Sequence, residues 1–562
     1  MNEQGNEHDR SSEINESRKP SRGKKILLWI AGIACVCAVV VGSVLLYIAK
    51  HAEPILRKRV IDTLAARFNS PVELDEFHIV VANGFGVTGR GLRIQYIVRP
   101  NEQGMDRTEP MLSVEEFSFR TNFHGLLESP MRVGDVHVKG LHILLPPKEE
   151  RAGKLLANAQ NDPTKQKSPP KESIIVDRIL VDDVVLLLET NKPNKVPLDF
   201  EISHIVLKDV GRTRPFDYTA TLVNPKPIGD IAAHGHFGPW DSDGPRDTPL
   251  DGVYSFDHAD LNTIKGIGGM LSSKGSFGGS LGNISADGET DTPNFSLDVS
   301  NHPVPLHTKY HAIIDGTSGD VLLQPVQAWM LHSYFVCVGH VVKSNDPKGH
   351  DIALDVNMPK ARIEDMLQLG VKTSPALMRG ALTMKTKLHI PAGDVPVSKK
   401  IELSGGHFEI RNAVFTSDKI QTKIDTLSMR AQGKPGQANK DDADDVTSSM
   451  KGAFRLGHST IDISDLLYTL PGAQVYVDGE YSLNGQVFDF HGKVRTKAKV
   501  SQMTTSWKSW LLKPVDPFFK KNGAGAEVPF KITGTKDEPH FGLELKQKKE
   551  DQKDTSKLPA PK

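Results

Sequence analysis

The chain has 562 residues with 69 Lys and Arg against 69 Asp and Glu, so its formal net charge is zero and no global basic field draws it to nucleic acid. Hydrophobic residues make up 38%, and with 48 glycines added the apolar share approaches that of folded domains, which argues against a mainly disordered chain. Three cysteines, two of them (Cys35 and Cys37) inside one apolar run, exclude a disulfide framework and leave Cys337 alone.

Residues 1–25 are polar and lack aliphatic periodicity, as expected of a disordered tail. Residues 26–49, ILLWIAGIACVCAVVVGSVLLYIA, carry no charge and are long enough to cross a bilayer as one helix. No small-x-small cleavage site closes the run, which favours an uncleaved anchor over a signal peptide. Arg18, Lys19, Arg22, Lys24 and Lys25 abut the first end of the span and orient the tail to the cytoplasm, with the chain from Leu56 onward outside.

Residues 52–145 open with Leu56, Val60, Leu64 and Phe68 at intervals of four, which predicts an amphipathic helix that caps a sheet. Residues 146–173 read as a linker, 174–432 as a central β-repeat region, 433–449 as an acidic linker, 450–545 as a C-terminal β region and 546–562 as a second disordered tail. Alternating Val-, Ile-, Phe- and Thr-rich segments such as Gly380 to Ile390, Gln474 to Leu483 and Tyr334 to Val342 predict strands with one apolar face. Further helices are expected only at Ala361 to Leu369 and Asp465 to Leu470.

One spacing recurs. Apolar residues at offsets 0, 3, 5, 8 and 10 occur at Val133, Val136, Val138, Leu141 and Ile143, and again at Val176, Ile179, Val181, Val184 and Leu186. Shorter copies run through Ile202, Ile205, Leu207 and Val210, and through Leu74/Phe77/Ile79, Val114/Phe117/Phe119 and Ile424/Leu427/Met429. Steps of two keep a strand face, whereas the step of three across Lys139-Gly140 or Asp182-Asp183 flips it, so each unit reads as strand, kink, strand. Val136, Val138, Ile179, Val181, Ile205 and Leu207 should then share one face and are the candidate lining of an apolar groove.

Motifs with chemistry fail on context. Gly84 to Gly89 fits G-x-G-x-x-G but leads into a strand rather than a helix N-terminus. Gly278 to Gly282 fits G-x-S-x-G without the strand-to-helix elbow that a nucleophilic serine needs. Asp241 to Gly244 lacks the rest of a calcium loop, Cys337 alternates as a strand residue, and the 21 histidines form no ligand spacing. No catalytic residue, metal site or cofactor is expected.

The stretches Leu56 to Tyr96, Leu250 to Phe256, Lys274 to Gly279, Gly316 to Val321 and Val528 to Leu545, in this order behind an N-terminal anchor, resemble the AsmA-like envelope proteins, which belong with the bridge-like lipid carriers. The resemblance implies a bacterial inner-membrane protein with its bulk in the periplasm, whose repeated β units curl into an elongated trough for lipid. The expected partners are membrane lipids, the inner membrane through residues 26–49, and envelope proteins. A mainly β fold with few short helices follows from the residues themselves, with the sheet either curled as a trough or folded on itself as sandwiches. A lipid conduit needs no catalytic group; the other function class is a non-catalytic envelope scaffold or assembly factor.

Overall fold

The computed structural model describes residues 53–62, 64–65, 70–80, 85–100, 106–121, 128–145, 174–188, 198–211, 213–241, 244–372, 374–437, 446–482, 487–504, 525–535 and 538–543, with five positions between 36 and 43. Of residues 26–49, only those five are described, all helical; the remainder of the span, both tails and residues 146–173 lie outside the described residues. Among the described residues no helix is long and apolar enough to cross a membrane.

The first strands are β1 (Val72–Glu73), β2 (Glu76–Val80), β3 (Phe85–Pro100), β4 (Asp106–Thr121), β5 (Met131–Leu145), β6 (Ile174–Leu188) and β7 (Leu198–Val210). There follow β8 (Phe216–Pro225), β9 (Ile228–Phe237), β10 (Pro249–Asp260), β11 (Ile267–Gly268), β12 (Met270–Ser280), β13 (Asn283–Leu297) and β14 (Val304–Asp315). The later part comprises β15 (Asp320–Met330), β16 (Ser333–Asn345), β17 (Lys348–Arg362), β18 (Met378–Ile390), β19 (Glu402–Phe415) and β20 (Ser448–Gly457). The sheet closes with β21 (Thr460–Leu470), β22 (Ala473–Ser482), β23 (Val487–Thr496), β24 (Ala526–Thr535) and β25 (Pro539–Leu543). All 25 belong to one sheet.

Most sheet neighbours are neighbours in the chain, many joined by short Gly-, Asn- and Asp-bearing turns, while β1 with β3, β10 with β12 and β11 with β13 pair past an intervening short strand; all these pairings are antiparallel. The exception is β5 with β6, which pair parallel and in register, Val136 to Ile179 and Val138 to Val181. The two longest copies of the recurring spacing thus lie side by side, each residue 43 positions from its partner.

The kinks are bulges within continuous strands. Gly140 (φ 63°) and Asp183 (φ 56°) take the left-handed conformation at the step of three, and Asp209 (φ 52°) does so in the third copy. A residue of this kind lets the side chains after it return to the face used before it, so Leu141 pairs with Val184 and Val184 with Ile202 on the apolar side.

Three helices lie on that apolar side. Helix α1, described over residues 53–62 and 64–65, packs Leu56, Val60 and Ile61 onto Leu74, Phe77 and Val87, as the spacing of four predicts. Helix α2 (Ile363–Gly370) covers Cys337, Val356, Met358 and Leu382 with Ile363 and Met366. It is pinned by the buried Asp365 carboxylate, which accepts from the His332 backbone N–H at 2.9 Å and from Ser333 Oγ at 2.7 Å. Helix α3 (Asp418–Ala431) sets Ile424, Leu427 and Ala431 against Tyr468, Leu470 and Ala473.

Two expectations fail. Asp465 to Leu470 is strand within β21, with Asp465 (φ 51°) at a bulge rather than opening a helix. Ile424, Leu427 and Met429 are helical, so that copy of the spacing is not a strand. The described strands form one sheet, and each of its three helix-covered cores draws on consecutive strands and one helix.

Candidate functional site

Register places the six candidate residues in two adjacent rows on one face. Val136, Ile179 and Leu207 are direct partners across β5, β6 and β7, and Val138, Val181 and Ile205 form the next row. Five are partly buried, whereas Val181 is only 3% exposed, enclosed by its row neighbours on both sides.

The first row does not stop there. Toward the N-terminal edge it continues through Phe119, Val87 and Ile79. Beyond Leu207 it passes through Tyr218, Gly235, Gly252, Phe277, Ala286 and Ala312. It then takes Leu323, Gly339, Leu354, Leu388 and Leu403. Leu456, Ile461, Tyr481 and Phe488 follow, and the row ends at Gly534 and Pro539. Every step is a direct cross-strand pair and every position is aliphatic, aromatic, proline or glycine. This is an unbroken apolar lane from β2 to β25.

The opposite face is charged. Arg178 holds Asp135 at 2.6 Å, His204 holds Asp182 at 2.6 Å, His311 holds Asp287 at 2.9 Å and Arg495 holds Glu527 at 2.6 Å. The hydrogen bonds from Arg178 keep the Asp135 carboxyl below its ordinary range. Such exposed pairs stabilise little, but they fix which face meets water. The two-sidedness is the strand alternation read in the sequence, carried across the whole sheet.

The lane's floor is levelled by aromatic rings lying over glycines of the neighbouring strand. A Cβ added at Gly406 would come within 2.5 Å of the Phe454 ring, and one at Gly492 within 2.7 Å of the Phe530 ring. At Gly288 it would meet the hydroxyls of Tyr254 and Tyr310 at 2.6 and 2.7 Å. The sequence shows these residues only as scattered Gly and aromatic positions, because register alone brings them together.

The three helices cover parts of the same face: α1 at the β2 to β4 edge, α2 over β16 to β19, and α3 over β19 to β23. Strands β5 to β10 contribute to none of these cores, whereas α2 also touches β13, with His302 Nδ1 3.2 Å from the Gln368 carbonyl, and the Val397 backbone N–H donates to the Lys265 carbonyl at 3.0 Å. Cys337 is a floor residue paired with Val326 and Val356, and burial pushes its thiol up to about 11, so it is a packing group rather than a nucleophile. Gly278 to Gly282 is the end of β12 and its turn into β13, with no helix behind Ser280. Residues 85–89 of the G-x-G-x-x-G string are strand. Among the described residues no group of three or more His, Cys, Asp or Glu is arranged to hold a metal ion. No protein-family model, no curated protein and no solved structure matches the chain.

Proposed function

We propose that this chain is an inner-membrane-anchored, periplasmic AsmA-like protein that binds or conducts phospholipid along the apolar lane of its sheet, in the service of outer-membrane biogenesis. The observation that carries the reading is the unbroken apolar row from β2 to β25, facing away from a charged surface and lined over β5 to β10 by side chains that no helix-covered core takes up. A sheet of this kind buries its apolar face by curving into a trough around an apolar occupant. Each methylene taken from water contributes about 0.8 kcal/mol, so one acyl chain held along the floor is stabilised by on the order of 10 kcal/mol without any polar site. The uncharged apolar run of residues 26–49 and the resemblance to AsmA-like proteins support an inner-membrane source for that occupant. The competing class is a non-catalytic envelope scaffold or outer-membrane assembly factor, in which the lane would carry no lipid.

The test uses adjacent residues on opposite faces. A photo-reactive amino acid at Leu207 should crosslink phospholipid in cells, and one at Val206 should not. Mass spectrometry of detergent-purified protein should find co-purifying lipid. Absence of lipid at Leu207, or equal labelling at both positions, leaves the scaffold reading.

A further inference from the structure

Beside the apolar lane the same face turns polar at its middle. On β12 to β14, two rows from Phe277, Ala286 and Ala312, runs a row of hydroxyls, Ser273 opposite Thr290 and Thr290 opposite Thr308. In the adjacent row on the same face, Tyr254 and Tyr310 are separated by the glycine pair Gly275 and Gly288. With no Cβ between them the two rings reach toward each other, and their hydroxyls are in hydrogen-bond contact.

The direction of these bonds is fixed at one end. Ser273 Oγ donates to the Glu289 carbonyl at 3.0 Å, so Tyr254 Oη must donate to Ser273 Oγ, 3.0 Å away, and Tyr310 Oη to Tyr254 Oη. Thr290 and Thr308 share a further bond of 2.7 Å. These four bonds consume four of the five hydroxyl protons, while most of the oxygen lone pairs remain free. Burial, with the Tyr254 contact, raises the Tyr310 phenol well above its ordinary range, so that ring stays neutral at physiological pH.

A patch rich in acceptors and poor in donors discriminates among polar groups. Esters, phosphodiesters and quaternary ammonium groups have no proton to give and leave those lone pairs unpaired against the ligand. A primary ammonium or a hydroxyl donates and satisfies them. We infer that the hydroxyl cluster of Tyr254, Ser273, Thr290, Thr308 and Tyr310 is a station beside the middle of the lane for the polar end of an amphiphile bearing N–H or O–H donors. This rests on the lipid-lane reading and adds to it a site of chemical selectivity, set beside an apolar row that accepts any acyl chain.

Full-length protein in detergent is equilibrated with vesicles holding equal phosphatidylethanolamine and phosphatidylcholine of the same acyl composition, and bound lipid is extracted and quantified. A parallel mixture of diacylglycerol and its O-acetylated analogue separates a hydroxyl donor from the ammonium. One net hydrogen bond predicts enrichment of the donor-bearing lipid by about 3-fold or more in at least one mixture. The double variant Tyr254→Phe/Tyr310→Phe keeps both rings on the glycine floor, and Thr290→Val/Thr308→Val keeps the volume of the second row. Each should bind as much lipid as wild type with the enrichment reduced, to about 1 when the four changes are combined. A wild-type ratio of 1 in both mixtures, or enrichment that survives all four changes, overturns the station while leaving the lane. Failure to bind either lipid overturns both.

Discussion

Two single residues report on the two faces. On the charged face, His389 Nε2 lies 3.1 Å from Asp351 and its Nδ1 lies 3.2 Å from Glu402. Burial alone would lower its pKa, but hydrogen bonds to the two carboxylates outweigh that and the net shift is upward. A raised histidine pKa means the folded state binds the proton more tightly than the unfolded chain. The stabilisation is therefore fully present below the ordinary value of 6.5 and disappears as pH rises through the higher folded value. Because all three side chains are about two-fifths exposed, the effect is less than about 1 kcal/mol. Thermal unfolding from pH 5.5 to 8.5 should lose part of its pH dependence in His389→Gln; an unchanged profile would refute the assignment. On the apolar face, Gly406→Ala should cost about 1–3 kcal/mol, since the new methyl collides with the Phe454 ring. Combining it with Phe454→Leu should cost less than the sum of the two single changes; strict additivity would mean that the ring does not rest on Gly406.

At the scale of elements, the β organisation was legible wherever alternation and turn residues agreed. The pairing of Val133 to Ile143 with Val176 to Leu186 followed a spacing visible in the chain, and the kinks fell where a glycine or aspartate could take positive φ. Helix α3 was not legible, because apolar offsets of 0 and 3 suit a helix turn as well as a kinked strand, and Ile424, Leu427 and Met429 satisfy both. The stretch Asp465 to Leu470 misled in the opposite sense, since it is strand and its Asp465 occupies a bulge that interrupts the alternation. The lane itself was legible only over three strands; its continuation depends on register, which no local pattern encodes. The contrast between lane and core gives a direct test. Val138→Asp, in the partly buried lane, should leave the unfolding midpoint within a few degrees of wild type and abolish lipid crosslinking at Leu207. Leu382→Asp, 3% exposed beneath α2, should destabilise by on the order of 3–5 kcal/mol. Equal loss of stability at both sites would show that the lane is a closed core. Val181 is unsuited to this comparison because it is as buried as Leu382.

Over the whole molecule, β1 lies in line with β2 and β11 in line with β12, so the 25 strands fill 23 positions, and at about 4.8 Å each the sheet is on the order of 105 Å from edge to edge before twist shortens it. A compact domain of this length would have a radius of gyration of about 24 Å. Small-angle scattering of the chain without residues 1–50 should therefore give a value clearly above about 30 Å, and a value near 24 Å would mean that the sheet has rolled shut. The two ends differ: the first strands lie under α1, whereas Leu543 on β25 is 60% exposed. The pairing of each strand with its predecessor also governs how the protein is made. Most strand pairs close short hairpin loops, so contact order is low for an all-β chain of this length. A polypeptide threaded outward from its first residue can lay down one hairpin after another on an edge already in place. That growth must wait where the intervening chain is long: 28 residues between β5 and β6, 32 between β19 and β20 and 29 between β23 and β24 must emerge before the next strand docks.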